Sequence, residues 1–346
     1  MAKLKTIALT ISSLSAASGA AYAQNATPDQ VGMAMMRLNS SLLDQAKAQT
    51  FGTGSLWASL RKDFRMNEVN SELVRRHENK FAANSAYFDR TITRSKPYMY
   101  HIANAVRKRN MPAEIALLPF IESAFVTKAK SHVGASGLWQ FMPTTGRQYD
   151  LQINTFVDER LDPIKSSYAA ARMLADLYNR FGDWSLALAA YNCGPGRVSN
   201  AIEKAGEAAD FWQVYEFLPK ETRGYVPAFI AANYVMNYYA EYNILPEPTG
   251  LPEKAGKVVV TEDISLAKVA DVLNMDIADL RMLNPQYRQG IVKTTDGTAT
   301  LLLPSEKVKC FTDNVSRLYE NGENSESQRL EMAARVVKGT MHNPHS

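Results

Sequence analysis

Apolar residues recur at three- and four-residue steps nearly throughout from about Thr27 to Tyr242, the pattern of helices that each bury one face. The stretch 162–182 shows every part of such a helix. Asp162 is a capping residue, Pro163 suits the first helical position, Tyr168, Ala171, Leu174, Tyr178 and Phe181 form the stripe, and Gly182 stops it. A second helix is expected from Trp184 to about Asn192 behind the capping candidate Asp183, ended by Gly194-Pro195-Gly196, and a third from Arg197 to about Ala205. Pro97 to Lys108 places Tyr98, Ile102, Ala105 and Val106 on one face, and the apolar segment Tyr225 to Tyr242 reads as one more helix.

The pattern breaks after Leu245, where prolines at 246, 248 and 252 disfavour helix and keep the chain extended. Beyond the break, Val258-Val259-Val260 reads as a strand, Leu266-Val269-Ala270-Leu273 and Ile277-Leu280-Leu283 as two short helices, and Thr300 to Leu303 as a closing strand. From Thr312 onward the residues are polar with scattered apolar ones, which reads as a loosely held helix or a disordered tail. At the other end, Lys3 and Lys5 precede an apolar run around Ile7, Leu9, Ile11 and Leu14, then small residues ending Ala21-Tyr22-Ala23, the order of an export signal and its cleavage site. The expected parts are a signal peptide (1–23), an N-terminal helical segment (24–96), a helical domain (97–244), a linker (245–256), a small module (257–304) and a tail (305–346).

Composition narrows the function classes. A length of 346 residues with 46% hydrophobic side chains supports real cores. The net charge is +4, and setting Lys3 and Lys5 aside leaves +2, too even a balance for a dedicated nucleic-acid binder. Two cysteines, Cys193 and Cys310, cannot make a disulfide scaffold or a cysteine-based zinc site, and the five histidines include no HExxH pair. Neither metal nor cofactor is expected. No later run reaches the roughly 18 to 20 apolar residues of a membrane span, and no lipobox cysteine stands near position 20, so the exported chain is expected to be soluble.

Candidate chemistry falls between Met111 and Arg197. Glu122 stands in Leu117-Leu118-Pro119-Phe120-Ile121-Glu122-Ser123-Ala124-Phe125; pointed into a cleft it would be desolvated and suited to general acid work, and pointed into water it would be an ordinary helix-end carboxylate. In Gly137-Leu138-Trp139-Gln140-Phe141-Met142-Pro143, the glycine lets backbone approach a ligand. Trp139, Phe141 and Met142 could meet sugar faces while Gln140 hydrogen-bonds, or the segment is a buried loop. Ala190-Tyr191-Asn192-Cys193-Gly194 presents a phenol and an amide at a helix end.

Taken in order, Glu122-Ser123, Gly137 to Pro143, Ala190-Tyr191-Asn192 and Tyr225 resemble the four motifs of family 1 lytic transglycosylases, enzymes with a goose-lysozyme-like fold. Leu-Leu-Pro before the Glu-Ser and Pro-Lys-Glu-Thr-Arg-Gly-Tyr-Val at 219–226 are similar to the membrane-bound lytic murein transglycosylase D group. The resemblance implies a mainly α chain with a lysozyme-like (SLT) catalytic domain, acting on peptidoglycan glycan strands. It implies Glu122 as the single catalytic acid and base, supported by Ser123 and oriented by Tyr225. Ser131 would contact the reacting sugar, Gln140 and Met142 would line the glycan groove, and Tyr191 and Asn192 would bind beside the scissile bond. Val126-Thr127 replaces the commoner Asn-Pro of the family. Residues 257–304 resemble a LysM repeat through Ile264-Ser265-Leu266, Leu280, Leu283-Asn284-Pro285 and Leu303-Pro304, with Glu262-Asp263 in place of the usual Gly-Asp turn.

The expected product is the 1,6-anhydromuramyl end of a non-hydrolytic cut, and the expected location is the periplasm. Two other readings fit the same residues. A hydrolytic lysozyme would need Asp150, Asp158, Glu159 or Asp162 to position water opposite Glu122, and an idle wall-binding protein would use the groove only to hold glycan.

Overall fold

The helix at 162–182 forms as expected in the computed structural model, which describes residues 62–319 apart from 66–67, 207–209, 243, 249 and 295–296. The expected signal peptide and the first part of the 24–96 segment lie outside the described residues. All described residues fall within one compact unit, Leu56–Ser346. Its elements are α1 (Glu68–Ala82), α2 (Ser85–Arg107), a 3-10 turn (Ala113–Leu117), α3 (Leu118–Ser123), α4 (Pro143–Gln148), α5 (Pro163–Phe181), α6 (Trp184–Cys193), α7 (Pro195–Ala205), α8 (Phe211–Val214) and α9 (Lys220–Asn237). The module follows as β1 (Ala255–Val260), β2 (Ile264–Ser265), α10 (Leu266–Leu273), α11 (Ile277–Leu283), β3 (Ile291–Val292), β4 (Ala299–Pro304), α12 (Ser305–Asp313) and α13 (Val315–Leu318).

Local chemistry sets the helix ends. The Asp162 carboxylate accepts from the backbone N–H of Ile164 (2.8 Å) and Lys165 (2.9 Å), and Gly182 closes α5 at φ 65°. Asp183 then caps α6 by accepting from Leu186 N–H at 2.9 Å. Ser185 to Ala190 are all buried, so α6 is the central helix, with α5, α7 and α9 around it. Alanines let those neighbours come close.

Three expected helices are corrected. The α5 stripe is rotated: Tyr168 and Tyr178 are exposed, while Ile164, Ser166, Ser167, Ala170 and Leu177 are buried with Ala171 and Leu174. Small residues fill that face because α2 packs on it, and Ser166 and Ser167 can be buried because each hydroxyl donates to a carbonyl one turn back. Next, α2 begins at Ser85 instead of Pro97, so the expected boundary at 96/97 falls inside a helix. Thr91, Thr93 and Ser95 read as polar in sequence but satisfy their hydroxyls on Tyr87, Asp89 and Ile92 carbonyls, and all three are buried. Finally, α9 starts at Lys220 and stops at Asn237, with Tyr239–Tyr242 a separate 3-10 turn.

In the module, β1 pairs antiparallel with β4 in the register Ala255↔Pro304 to Val260↔Ala299, and β2 with β3 through Ile264↔Val292. The order strand, helix, helix, strand therefore holds, with an unexpected small second ladder. The tail expectation is overturned as far as Tyr319: Phe311, Val315, Leu318 and Tyr319 are buried in the module core beside Val258, Leu266 and Leu273. Their spacing of four, three and one is a helical stripe hidden among charges. Residues beyond 319 lie outside the described ones.

The proline-rich stretch does not free the module. Ala255, Leu283 and Leu302 belong to the same apolar cluster as the helices. Lys96 pairs with Glu253 at 2.9 Å, and the His101 ring is 3.1 Å from Ala255 O. Val157 forms a β-bridge with Tyr287, Asp158 N–H donates to Gln286 O (3.0 Å), and Arg288 N–H to Phe156 O (2.9 Å). A chain ended at Leu251 would lose all of these, so its thermal unfolding midpoint should fall by about 5 °C or more below that of the full chain. Equal midpoints in a calorimetric scan would mean that the module stabilises nothing outside itself.

Candidate active site

Glu122 is carried by α3, a helix of six residues with Pro119 in its first turn. Two consecutive left-handed residues, Ala124 (φ 50°) and Phe125 (φ 55°), end it. Ala124 N–H donates to Phe120 O (3.0 Å) and Phe125 N–H to Pro119 O (3.3 Å), which closes the helix just past the glutamate. Phe120 and Phe125 are buried, and the Glu122 side chain emerges between them half-buried.

Two tyrosines from other helices converge on this carboxyl. The Tyr225 hydroxyl of α9 donates to Glu122 Oε1. Tyr191 of α6 donates to Trp139 O at 2.7 Å and lies near enough for the Glu122 charge to raise its own pKa, after burial. Burial pushes Glu122 up to about 7, against the hydrogen bond from Tyr225, which pulls it down. The desolvation wins, so the group exchanges its proton near neutral pH, where both its forms are populated. Burial first, then Glu122, keeps Tyr225 protonated as well.

The facing wall is the loop between α3 and α4. Ser123 Oγ donates to Leu138 O (3.0 Å) and to Pro119 O (3.1 Å), tying the glutamate helix to that loop. Ser131 Oγ accepts from Ala135 N–H (3.0 Å) and shapes a tight turn. Gln140, itself left-handed at φ 49°, donates from its amide to Gly137 O at 2.8 Å and Ala129 O at 3.4 Å. Gly137 has φ 85°, and a Cβ there would stand 1.8 Å from Arg160 O, so only glycine fits. Met142 is exposed at the start of α4.

Trp139 and Phe141 are not sugar contacts. Trp139 is fully buried with Nε1 donating to Ser167 Oγ (2.9 Å), and Phe141 is 2% exposed, so both anchor the loop from beneath. Asn192 is exposed at the end of α6, and its Oδ1 accepts from Thr222 Oγ1 at 2.9 Å. Glu122, Ser123, Tyr191 and Tyr225 are joined directly or through the Leu138-Trp139 backbone, while Ser131, Gln140, Met142 and Asn192 stand on the loop and helix end around them.

Sequence reasoning passed over Arg160 and Thr222. Arg160 is buried and donates to Gly134 O (2.8 Å), Phe141 O (3.1 Å) and both Asp158 oxygens, so it fixes the loop backbone at two points. Nothing in the run Asp158-Glu159-Arg160 distinguishes a buried arginine from a solvated one. The acids considered for holding water are occupied elsewhere. Asp158 pairs with Arg160 and Arg288, Glu159 pairs with Lys165, Asp162 caps α5, and Asp150 meets Arg172 at 2.7 Å in solvent. Among the described residues no group of three metal-binding side chains occurs.

Residues 99–213 match the family model described as transglycosylase SLT domain, and residues 254–320 the one described as lytic transglycosylase MltD, LysM-like domain. The second match takes in α12 and α13. The membrane-bound lytic murein transglycosylase D of Escherichia coli (strain K12) is 38% identical over 257 residues, 73% of this chain and 56% of that protein. Soluble lytic murein transglycosylases of Escherichia coli (strain K12) and Salmonella typhimurium (strain LT2) are 35% and 38% identical over 34% and 32% of this chain, and 19% and 18% of theirs. The chain thus spans little more than half the length of the first of these proteins and under a fifth of the others.

The Glu122 carboxyl should titrate with a midpoint near 7 in carbon-detected NMR. Because the Tyr225 hydrogen bond stabilises the carboxylate, Tyr225→Phe should move that midpoint higher. A downward move would mean that the phenol supports the protonated form. The linked stability has the same sign: the folded pKa lies above the ordinary 4.5, so this contribution is full below pH 4.5 and is lost as pH rises through 7.

Proposed function

We propose, for a chain whose residues 99–213 belong to the transglycosylase SLT domain family and whose residues 254–320 belong to a lytic transglycosylase LysM-like domain family, that it is an exported peptidoglycan lytic transglycosylase. The carrying observation is that Glu122 is bonded by the Tyr225 phenol, lies beside Tyr191 and titrates near neutral pH, while Asp150, Asp158, Glu159 and Asp162 are committed to ion pairs and a helix cap. One carboxyl must then serve as both acid and base.

In this reading the glycan lies over Glu122. The protonated carboxyl gives its proton to the oxygen linking N-acetylmuramic acid to N-acetylglucosamine, and the bond from that oxygen to the muramyl anomeric carbon breaks. The substrate's 2-acetamido group stabilises the cationic centre, which removes the need for a second protein carboxylate. The resulting Glu122 carboxylate takes the proton of the muramyl 6-hydroxyl, whose oxygen closes on the anomeric carbon. Glu122 ends protonated and no water is consumed. Tyr225 holds the carboxyl in place and supports its anionic stage, Ser123 fixes the helix beneath it, and Ser131, Gln140, Met142, Tyr191 and Asn192 position the sugars.

A periplasmic location is supported by the order of Lys3, Lys5, apolar run and Ala21-Tyr22-Ala23, and no helix among the described residues is long and apolar enough to cross a membrane.

Glu122→Gln keeps the shape and removes the transferable proton, so digestion of peptidoglycan should slow by about 10² to 10⁴-fold with an unchanged circular dichroism spectrum. Digestion at the parental rate would remove Glu122 from the chemistry.

The product separates this reading from a hydrolase. An intramolecular hydroxyl beside the reacting carbon has an effective concentration far above that of bulk water, on the order of 10⁵ M or more. Digests run in ¹⁸O-water should therefore carry no label at new muramyl ends. Labelled, reducing ends would replace the transglycosylase with a lysozyme.

A further inference from the structure

The joint between the helical domain and the module forms an open hollow of about 410 Å³ whose wall carries the exposed side chains of Lys128, Arg281 and Arg288. Its charge comes from both sides. Lys128 lies six residues past Glu122, at most about 21 Å along an extended chain, on the loop that leads to Ser131. Arg281 belongs to α11, and Arg288 to the turn that follows.

Among the described residues, one of these three cations is paired within the protein and two are not. Arg288 is held in place by Asp158 and by a bond from Nη1 to Asn154 O at 3.2 Å. Arg281 lies against the turn at Gly290, whose φ is 70° and where a Cβ would stand 3.5 Å from Arg281 Nη2. No ion pair involves Lys128 or Arg281 among the described residues. A concave wall of one charge sign focuses its field, and guanidinium groups bind carboxylates through paired hydrogen bonds.

We propose that this hollow binds carboxylates of the peptide stems that hang from peptidoglycan glycan strands, an assignment that rests on the peptidoglycan reading above. The sugars of the strand are neutral rings that call for flat aromatic faces. The aromatic residue in this wall, Tyr287, is 7% exposed and spends its hydroxyl on Thr300 O. The stem carries several carboxylates on a flexible chain, matching the two cations unpaired among the described residues, Lys128 and Arg281, while the charge of Arg288 is balanced by Asp158. Because the wall is shared, the site exists only while the module is docked, and it gives the module a part in substrate choice.

The test uses the full chain and the synthetic stem tetrapeptide L-alanyl-γ-D-glutamyl-meso-diaminopimelyl-D-alanine. Its affinity, read by NMR titration, should fall at least about tenfold in Lys128→Ala/Arg281→Ala and equally when the peptide's carboxylates are amidated. Unchanged affinity in either case, or no binding by the parent chain at millimolar peptide, overturns the proposal. A second arm compares glycan strands bearing stems with strands stripped of them. The double variant should raise KM about tenfold on the former, with kcat and the stripped-strand KM unchanged. An equal loss on both overturns the stem assignment. If the parent chain cleaves neither substrate yet binds the peptide as described, the transglycosylase reading fails and the carboxylate site stands.

Discussion

Arg160 is 4% exposed, so the charge of its guanidinium has to be balanced inside the protein. Asp158 supplies that balance through both oxygens, and the remaining N–H groups hold Gly134 O and Phe141 O. Burial would push Asp158 up, but the hydrogen bonds and charges of Arg160 and Arg288 prevail and keep it ionised. The same carboxylate therefore secures the loop facing Glu122 from one side and the module from the other. The Arg160 carbonyl, in turn, occupies the space that a side chain at 137 would need. Taking away one partner would leave a buried charge uncompensated, so loop shape and module docking depend on one network.

What the sequence revealed and what it concealed divide along chain distance. The caps at Asp162 and Asp183 and the stop at Gly182 depend on neighbours within a few residues, and the strands at 258–260 and 300–303 are short apolar runs in themselves, so those elements were legible. Hydroxyl-rich α2 and the stripe at 311–319 were not, because a serine or threonine that bonds its own helix reads as solvent-facing, and charges mask apolar spacing. Glu122 and Tyr225 are 103 residues apart, and local chemistry had no means to join them. Their pairing was legible only through the family motifs. The burial of Trp139 and Phe141 was hidden for a similar reason, since an aromatic loop residue can face ligand or core, and here Ser167 decides it from 28 residues away.

Some of the backbone strain lies where the side chains converge. Ala124, Phe125 and Gln140 are non-glycine residues in the left-handed region, each costing about 1 to 2 kcal/mol. The first two turn the chain sharply after Glu122, and the third lets the Gln140 amide reach back to Gly137 O. Burial of the Phe125 ring and the closure of the loop by Arg160 hold them there.

The two phenols have a consequence for the charge of the cleft. Tyr191 and Tyr225 both titrate well above the ordinary tyrosine range, pushed there by burial and by Glu122. Across the pH values of living cells they are fixed donors, and the proton on Glu122 is the one exchanged among these three groups. The trio therefore alternates between zero and minus one and never accumulates a second negative charge.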